Sequence, residues 1–176
     1  MSNRLIKEGI NYLTEIFQRP YQFHSVVDRM DDGFMIFGAR TEDGKHLEIK
    51  FSSMRAKGVF EIDFSIDHSF SATGEGDQYR ILSTVLKAIE MFLKDYRDRV
   101  LVLQFSAQKE RVIDQEELLR YRATGEGNPV KGINLSRVRL YHRLVNRFAR
   151  REGFTVKTKE SKYDVMFNLL NNAKWG

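Results

Sequence analysis

Between residues 59 and 105 the hydrophobic period of the chain changes twice, and few folds accept that succession. Over residues 59–67 the alternation is strict: Phe60, Ile62, Phe64 and Ile66 point one way, Glu61, Asp63, Ser65 and Asp67 the other. A period of two belongs to a strand with one buried and one open face. The run Ser71-Ala72-Thr73-Gly74-Glu75-Gly76 interrupts it. Residues 77–96 then carry Ile81, Leu82, Val85, Leu86, Ile89, Phe92 and Leu93 at helical spacing, the stripe of an amphipathic helix. Residues 99–105, almost wholly apolar, predict a short strand covered on both faces in the middle of a sheet.

The flanking segments extend this strand, loop, helix, strand unit. Residues 21–29, 34–40 and 46–52 read as further strands, separated by Asp31-Asp32-Gly33 and Glu42-Asp43-Gly44, so that 21–68 form an antiparallel meander. Before them, residues 1–20 predict an N-terminal helix. Leu5, Ile6, Ile10, Leu13, Ile16 and Phe17 share its apolar stripe, Ser2 or Asn3 supplies the N-cap, and Pro20 is the stop. Residues 69–106 hold the glycine loop, the long helix and the central strand.

Residues 107–135 are a polar insertion with a short helix at about 114–121. Its sequence Ala123-Thr124-Gly125-Glu126-Gly127 repeats residues 72–76, but the flanks share no pattern, which points to coincidence. Residues 136–176 supply a basic helix over 136–151, closed by Gly153, and a hairpin of strands 154–159 and 163–170. The expected class is α+β: an N-terminal helix, an antiparallel meander, then β-loop-α-β-α-β-β on one mixed central sheet.

Length and composition narrow the functional classes. The 176 residues suit a single domain, 1–176, with 41% hydrophobic and 30% charged residues. Without cysteine the chain has no disulfide, thiolate metal site or thiol nucleophile. No apolar run reaches the length of a membrane span, which predicts a soluble, cytoplasmic protein with no membrane partner. His24, His46, His68 and His142 lack ligand spacing, so no metal site is expected. No Walker lysine follows the glycines, and no serine sits in a nucleophile elbow.

The net charge is +5, and residues 136–160 concentrate it, with eight Lys or Arg against two Glu. Arg139, Arg143, Arg147, Arg150 and Arg151 make one helix a candidate surface for nucleic acid or an acidic protein partner. A solvated helix face is the other reading of the same residues.

The order of elements from residue 59 to residue 170 resembles the GNAT superfamily of acyl-CoA-dependent N-acetyltransferases. Ser71 to Gly76 align with that superfamily's Gln/Arg-x-x-Gly-x-Gly/Ala loop, with the glycines in place and the leading residue different. Asn134, Leu140 and Tyr141 fall in register with its Asn-x-x-Ala-x-x-Leu-Tyr signature, with Arg137 in the place of Ala. Gly153-Phe154 follows eight residues later than usual, about two helical turns.

The resemblance implies acetyl transfer from acetyl-CoA to an amine acceptor whose identity the sequence does not give. Ser71, Gly74, Gly76 and Asn134 would bind the cofactor. Tyr141 would protonate the departing thiolate, and Glu61 or Asp63 would relay a proton from the amine. The alternative is a non-catalytic GNAT-like binding protein that uses the basic helix. Three features depart from the superfamily: Glu75 and Asp77 put negative charge in the phosphate loop, a hairpin replaces the two helices after the first strand, and residues 107–135 separate the central strand from the Tyr141 helix. The compact basic style with Ser136-Arg137-x-x-Leu140-Tyr141 is also similar to small proteins of tailed bacteriophages, which would place it in a host cytoplasm.

Overall fold

The computed structural model of the chain describes residues 19–67 and 78–175. The N-terminal helix expected over 1–20 and the glycine loop over 71–76 lie outside these residues, apart from Arg19 and Pro20. Four antiparallel neighbours open the fold: β1 (Phe23–Arg29), β2 (Phe34–Arg40), β3 (His46–Ser53) and β4 (Val59–Ile66). Helix α1 (Gln78–Tyr96) and a 3-10 turn at Arg97–Arg99 lead to β5 (Val102–Gln108). Then come β6 (Glu110–Ile113), α2 (Gln115–Thr124), β7 (Val130–Asn134), α3 (Ser136–Glu152), β8 (Phe154–Glu160), β9 (Asp164–Asn171) and α4 (Asn172–Trp175).

Seven strands form one mixed sheet in the order β1-β2-β3-β4-β5-β9-β8, and β6 pairs with β7 in a separate sheet of two strands. The class is α+β, as the sequence predicts. Turn chemistry fixes the meander. Gly33 has φ +89°, a left-handed value that costs a side chain but not glycine, and its N–H donates to the Met30 carbonyl at 3.2 Å.

The core lies on one face of the large sheet. Met35, Phe37, Ala39, Leu47, Ile49, Phe51, Phe60, Ile62, Leu103, Phe105, Phe167 and Leu169 are buried there, matched across the strands by register. The stripe of α1 packs on this face, where the Phe92 ring stacks on Phe51 at 4.4 Å and meets the edge of Phe60 at 5.3 Å. Helix α3 packs on the same face farther along, with Val138, Tyr141, Val145 and Phe148 buried and the His142 ring 5.1 Å from that of Phe167.

Three expectations need correction. The central strand is not covered on both faces: Leu103, Phe105 and Ala107 are buried, while Val102 and Gln104 are half-buried and Ser106 is exposed. The reason is that α1 and α3 share one face, which leaves the second to partial cover. The strand also starts at Val102 and not at residue 99, because Val100 N–H closes the 3-10 turn onto the Arg97 carbonyl at 3.1 Å. Similarly β1 begins at Phe23: the Tyr21 N–H donates to Thr84 Oγ1 at 2.8 Å and ties that residue to α1 instead of the sheet.

The insertion is more ordered than its polar composition suggests. Its helix α2 is N-capped by Asp114, whose carboxylate accepts from the Glu117 N–H at 3.1 Å, and it ends at Gly125 in the left-handed region. Strands β6 and β7 bracket it. Short runs such as Val112-Ile113 carry too little periodicity to be read as strands.

Candidate functional site

The parallel pair at the centre of the sheet is short. β4 and β5 match only at Val59 with Val102, Phe60 with Leu103 and Glu61 with Gln104. Beyond these three positions each strand keeps its outer neighbour. Asp63, Phe64, Ser65 and Ile66 stay paired with β3, and Phe105 to Gln108 stay paired with β9. The two central strands therefore part, and the inner edges of 62–66 and 105–108 carry no ladder to each other. Backbone N–H and C=O groups along such edges can pair with an extended amide chain laid between them.

The closed end of the parting is fastened by several groups. The Gly58 carbonyl accepts from the N–H groups of Leu101 at 2.8 Å and Val102 at 3.1 Å. Gly58 has φ +80°, and a Cβ there would lie 2.6 Å from Leu101 Cγ, so the close approach requires glycine. From the other side the buried Asn171 donates through Nδ2 to the Val100 carbonyl at 2.9 Å, and its N–H donates to the Leu101 carbonyl at 3.0 Å. The Trp175 indole N–H adds a bond to the same Leu101 oxygen at 3.2 Å.

The open end gathers the chain connections. Asp67 leaves β4 at φ +47°, unusual for a residue with a side chain, and its carboxylate accepts from the His46 N–H at 2.8 Å. The chain enters α1 at Gln78, so Ser71, Gly74 and Gly76 lie between these points, outside the described residues. Strand β5 ends at Gln108, and β7 ends at Asn134, just before α3 begins. Tyr141 is in the second turn of α3 and only 7% exposed. The insertion contributes no strand to the gap, since β6 and β7 pair with each other.

Strand alternation separates the two sets of candidate catalytic groups. Glu61 is half-buried and Asp63 exposed, and both project from the face opposite that on which α3 packs. Tyr141 belongs to the helical face. Groups on both faces can serve one substrate only if it occupies the gap between the strands.

Sequence patterning does not reveal the cluster at the joint between β5 and the insertion. Lys109 Nζ, with its side chain 9% exposed, sits 3.0 Å from Glu160 Oε2 and donates to the Ser161 carbonyl at 2.9 Å. His142 Nε2 is 3.6 Å from Glu160 Oε1. The hydrogen bond from Lys109 holds the Glu160 carboxyl below its ordinary range, and the Lys109 charge acts in the same direction. Lys109 and Glu160 are 51 residues apart, so no local motif records the contact.

The arginines of α3 divide into two groups. Arg139, Arg143, Arg147 and Arg150 are exposed, and among the described residues none has a carboxylate partner. Arg151 is engaged: it meets Glu152 at 3.0 Å and Glu90 at 3.6 Å. Glu152 is in turn held by Arg97 at 2.7 Å, which joins the end of α3 to the 3-10 turn.

Among the described residues no cluster of His, Asp and Glu could hold a metal ion, and no helix is long and apolar enough to cross a membrane. No known protein family matches the chain, and no curated protein sequence matches it either.

Proposed function

We propose that the chain is a GNAT-like N-acyltransferase that takes an acyl group from acetyl-CoA or a related acyl-CoA and delivers it to an amine. One observation carries this reading: β4 and β5 run parallel, pair at Val59–Glu61 only, and part toward the end where α1 and α3 begin. The pantetheine arm of CoA is an extended chain with two amides, matched to the unpaired inner edges of the two strands. When bound, the thioester supplies an acyl carbon that an amine can attack directly.

The residues then divide the work by face. Glu61 or Asp63, on the open face of β4, takes the proton that the amine loses. Tyr141, on the helical face, gives a proton to the sulfur as the thioester bond breaks. The backbone amides of residues 71–76, outside the described residues, and the N-terminus of α1 would hold the pyrophosphate. Asn134 closes β7 of the small sheet, two residues before α3 begins.

The test is thermal denaturation with acetyl-CoA and, separately, with ADP. An intact site gives a midpoint that climbs with acetyl-CoA as RT ln(1 + [L]/Kd). An unchanged midpoint up to millimolar acetyl-CoA sinks the reading.

A second reading is favoured by a different observation, the four exposed arginines Arg139, Arg143, Arg147 and Arg150 of α3, which have no carboxylate partner among the described residues. On this reading the scaffold is non-catalytic and binds nucleic acid or an acidic protein. Its affinity for a duplex or single strand should fall steeply with salt, and Arg139→Ala with Arg143→Ala should flatten the slope by about two units.

A further inference from the structure

The large sheet ends in two strands, β1 and β8, and their outer edges are built differently. β8 carries Lys157 and Lys159, both exposed. Lysine guards an edge strand against pairing with another chain, because its charge has to stay in water. β1 carries no lysine and no proline. In their place stand Val26 and Val27, 46% and 45% exposed.

Register puts the two valines on opposite faces. Val26 lies beside the fully buried Phe37 on the helical face, and Val27 lies beside Ile36 on the open face. Every residue from His24 to Arg29 is nevertheless exposed, so the helical layer does not cover this strand. Its two charges offset each other and are engaged within their own chain: Asp28 accepts from the Tyr96 phenol, and Arg29 lies 3.2 Å from Asp32. The residues that lead into β1 are tied to α1, where the Arg19 carbonyl accepts from Arg80 Nε at 3.1 Å and the Tyr21 N–H donates to Thr84 Oγ1 at 2.8 Å. Among the described residues no strand pairs with the outer edge of β1.

Symmetry decides which partner fits. The bulge between Phe23 and Ser25 leaves Ser25–Arg29 in unbroken register with β2, and Val27 is the middle of that stretch. Two such stretches related by a two-fold axis form an antiparallel pair that sets Val27 against itself, Ser25 against Arg29 and Val26 against Asp28. Opposed residues share a face, so the two Val27 side chains meet on the open face and Ser25 offers a hydroxyl to the Arg29 guanidinium. Two β8 strands paired about their own middle residue would set Lys157 against itself, a like-charge contact. Pairing β1 with β8 would leave one edge of each kind free at the ends and grow into a filament, whereas β1 on β1 closes and leaves only the edges guarded by lysine.

We infer that β1 is a dimerisation edge: two copies of the chain pair their β1 strands antiparallel about Val27, and two seven-stranded sheets become one. The contact is one short strand from each copy, less than the area of a permanent dimer, so the association is weak and depends on concentration. It does not involve the acyl-CoA reading, since β2 and β3 stand between β1 and the parted strands.

The chain has no cysteine, so a single introduced thiol reports on the two-fold axis. In the full chain, Val27→Cys places two thiols opposite each other, within a small shift of disulfide geometry. Thr158→Cys, exposed on β8, is the control. Under mild oxidation Val27→Cys should form a covalent dimer about ten-fold faster than the control. In sedimentation equilibrium the native chain should move from the monomer mass toward twice that mass as its concentration rises toward the millimolar range, while Val27→Lys stays monomeric. The inference is overturned if the native chain remains a monomer at millimolar concentration, if Val27→Lys associates as strongly, if the two cysteine variants cross-link equally fast, or if the mass grows past the dimer.

Discussion

Glu61 of β4 lies opposite Gln104 of β5 as the last matched position of the two parallel central strands. Everything beyond it on either strand is held only by an outer neighbour. The position marks where one sheet becomes two half-sheets, and it sets a candidate carboxylate at the mouth of the opening. Three positions of parallel pairing are few, so the closed end depends on the contacts of Gly58 and Asn171 to stay together.

That dependence gives the first prediction. Gly58→Ala forces a left-handed backbone on alanine, at about 1–2 kcal/mol, before any clash with Leu101 is counted. The cost should appear as a lower urea midpoint with an unchanged m-value. An equal or higher midpoint would mean that the closed end tolerates a Cβ at position 58, which would lie 2.6 Å from Leu101 Cγ.

Asn171 fastens the same end from β9 and is 2% exposed. Asn171→Ala leaves the Val100 carbonyl without its donor and should destabilise the fold by about 1–3 kcal/mol. Asn171→Asp keeps the shape but turns the donor into an acceptor, so it should cost at least as much at neutral pH. Chemical denaturation of both variants checks the pair.

A pH dependence follows from the contact between β1 and α1. Tyr96 donates its phenol proton to Asp28, and this hydrogen bond pushes its pKa up to about 12 from 10.0. The protonated phenol is the favoured form in the folded state. Its contribution is therefore complete below pH 10 and is lost as the pH rises toward 12. Ultraviolet titration of the tyrosinates should show one group ionising late. Asp28→Asn should return that group to the ordinary range and remove the associated alkaline loss of stability.

Tyr141 is the candidate catalytic group whose removal is most informative. Tyr141→Phe preserves the apolar contacts of a side chain that is 7% exposed and removes only the proton donor. Turnover measured as free thiol released from acetyl-CoA, with lysine peptides and spermidine as acceptors, should drop about 10²–10⁴-fold. The KM for acetyl-CoA should hardly move. A proportional rise in KM with unaltered kcat would assign Tyr141 to binding or packing instead.

Much of the architecture is legible in the sequence because its elements are strongly periodic. Phe60, Ile62, Phe64 and Ile66 fix the face of β4, and the stripe from Ile81 to Leu93 fixes α1 together with the side it buries. Arg139, Arg143, Arg147 and Arg150 of α3 face outward as their spacing predicts, while Arg151 serves Glu90 and Glu152. What the sequence does not carry is contact between remote residues. The Lys109–Glu160 pair, the Gly58–Leu101 approach and the engagement of Asn171 with Val100 all join segments that have no local signature.

The apolar run around Leu103 misleads for a related reason. Composition indicates burial, but which faces are covered depends on where α1 and α3 land, and both land on one side. Strands β6 and β7 are too short for alternation to register. The early start expected for β1 fails because Tyr21 is claimed by Thr84 on α1.

The central claim is that an acyl-CoA occupies the parting between β4 and β5, and its most direct test is an amide chemical-shift titration with acetyl-CoA. The account predicts that the largest perturbations fall on Asp63, Phe64 and Ser65 of β4 and on Phe105, Ser106 and Ala107 of β5, with little change at Glu48 or Lys157. Perturbations confined to the exposed arginine face of α3, or none at millimolar ligand, would contradict it.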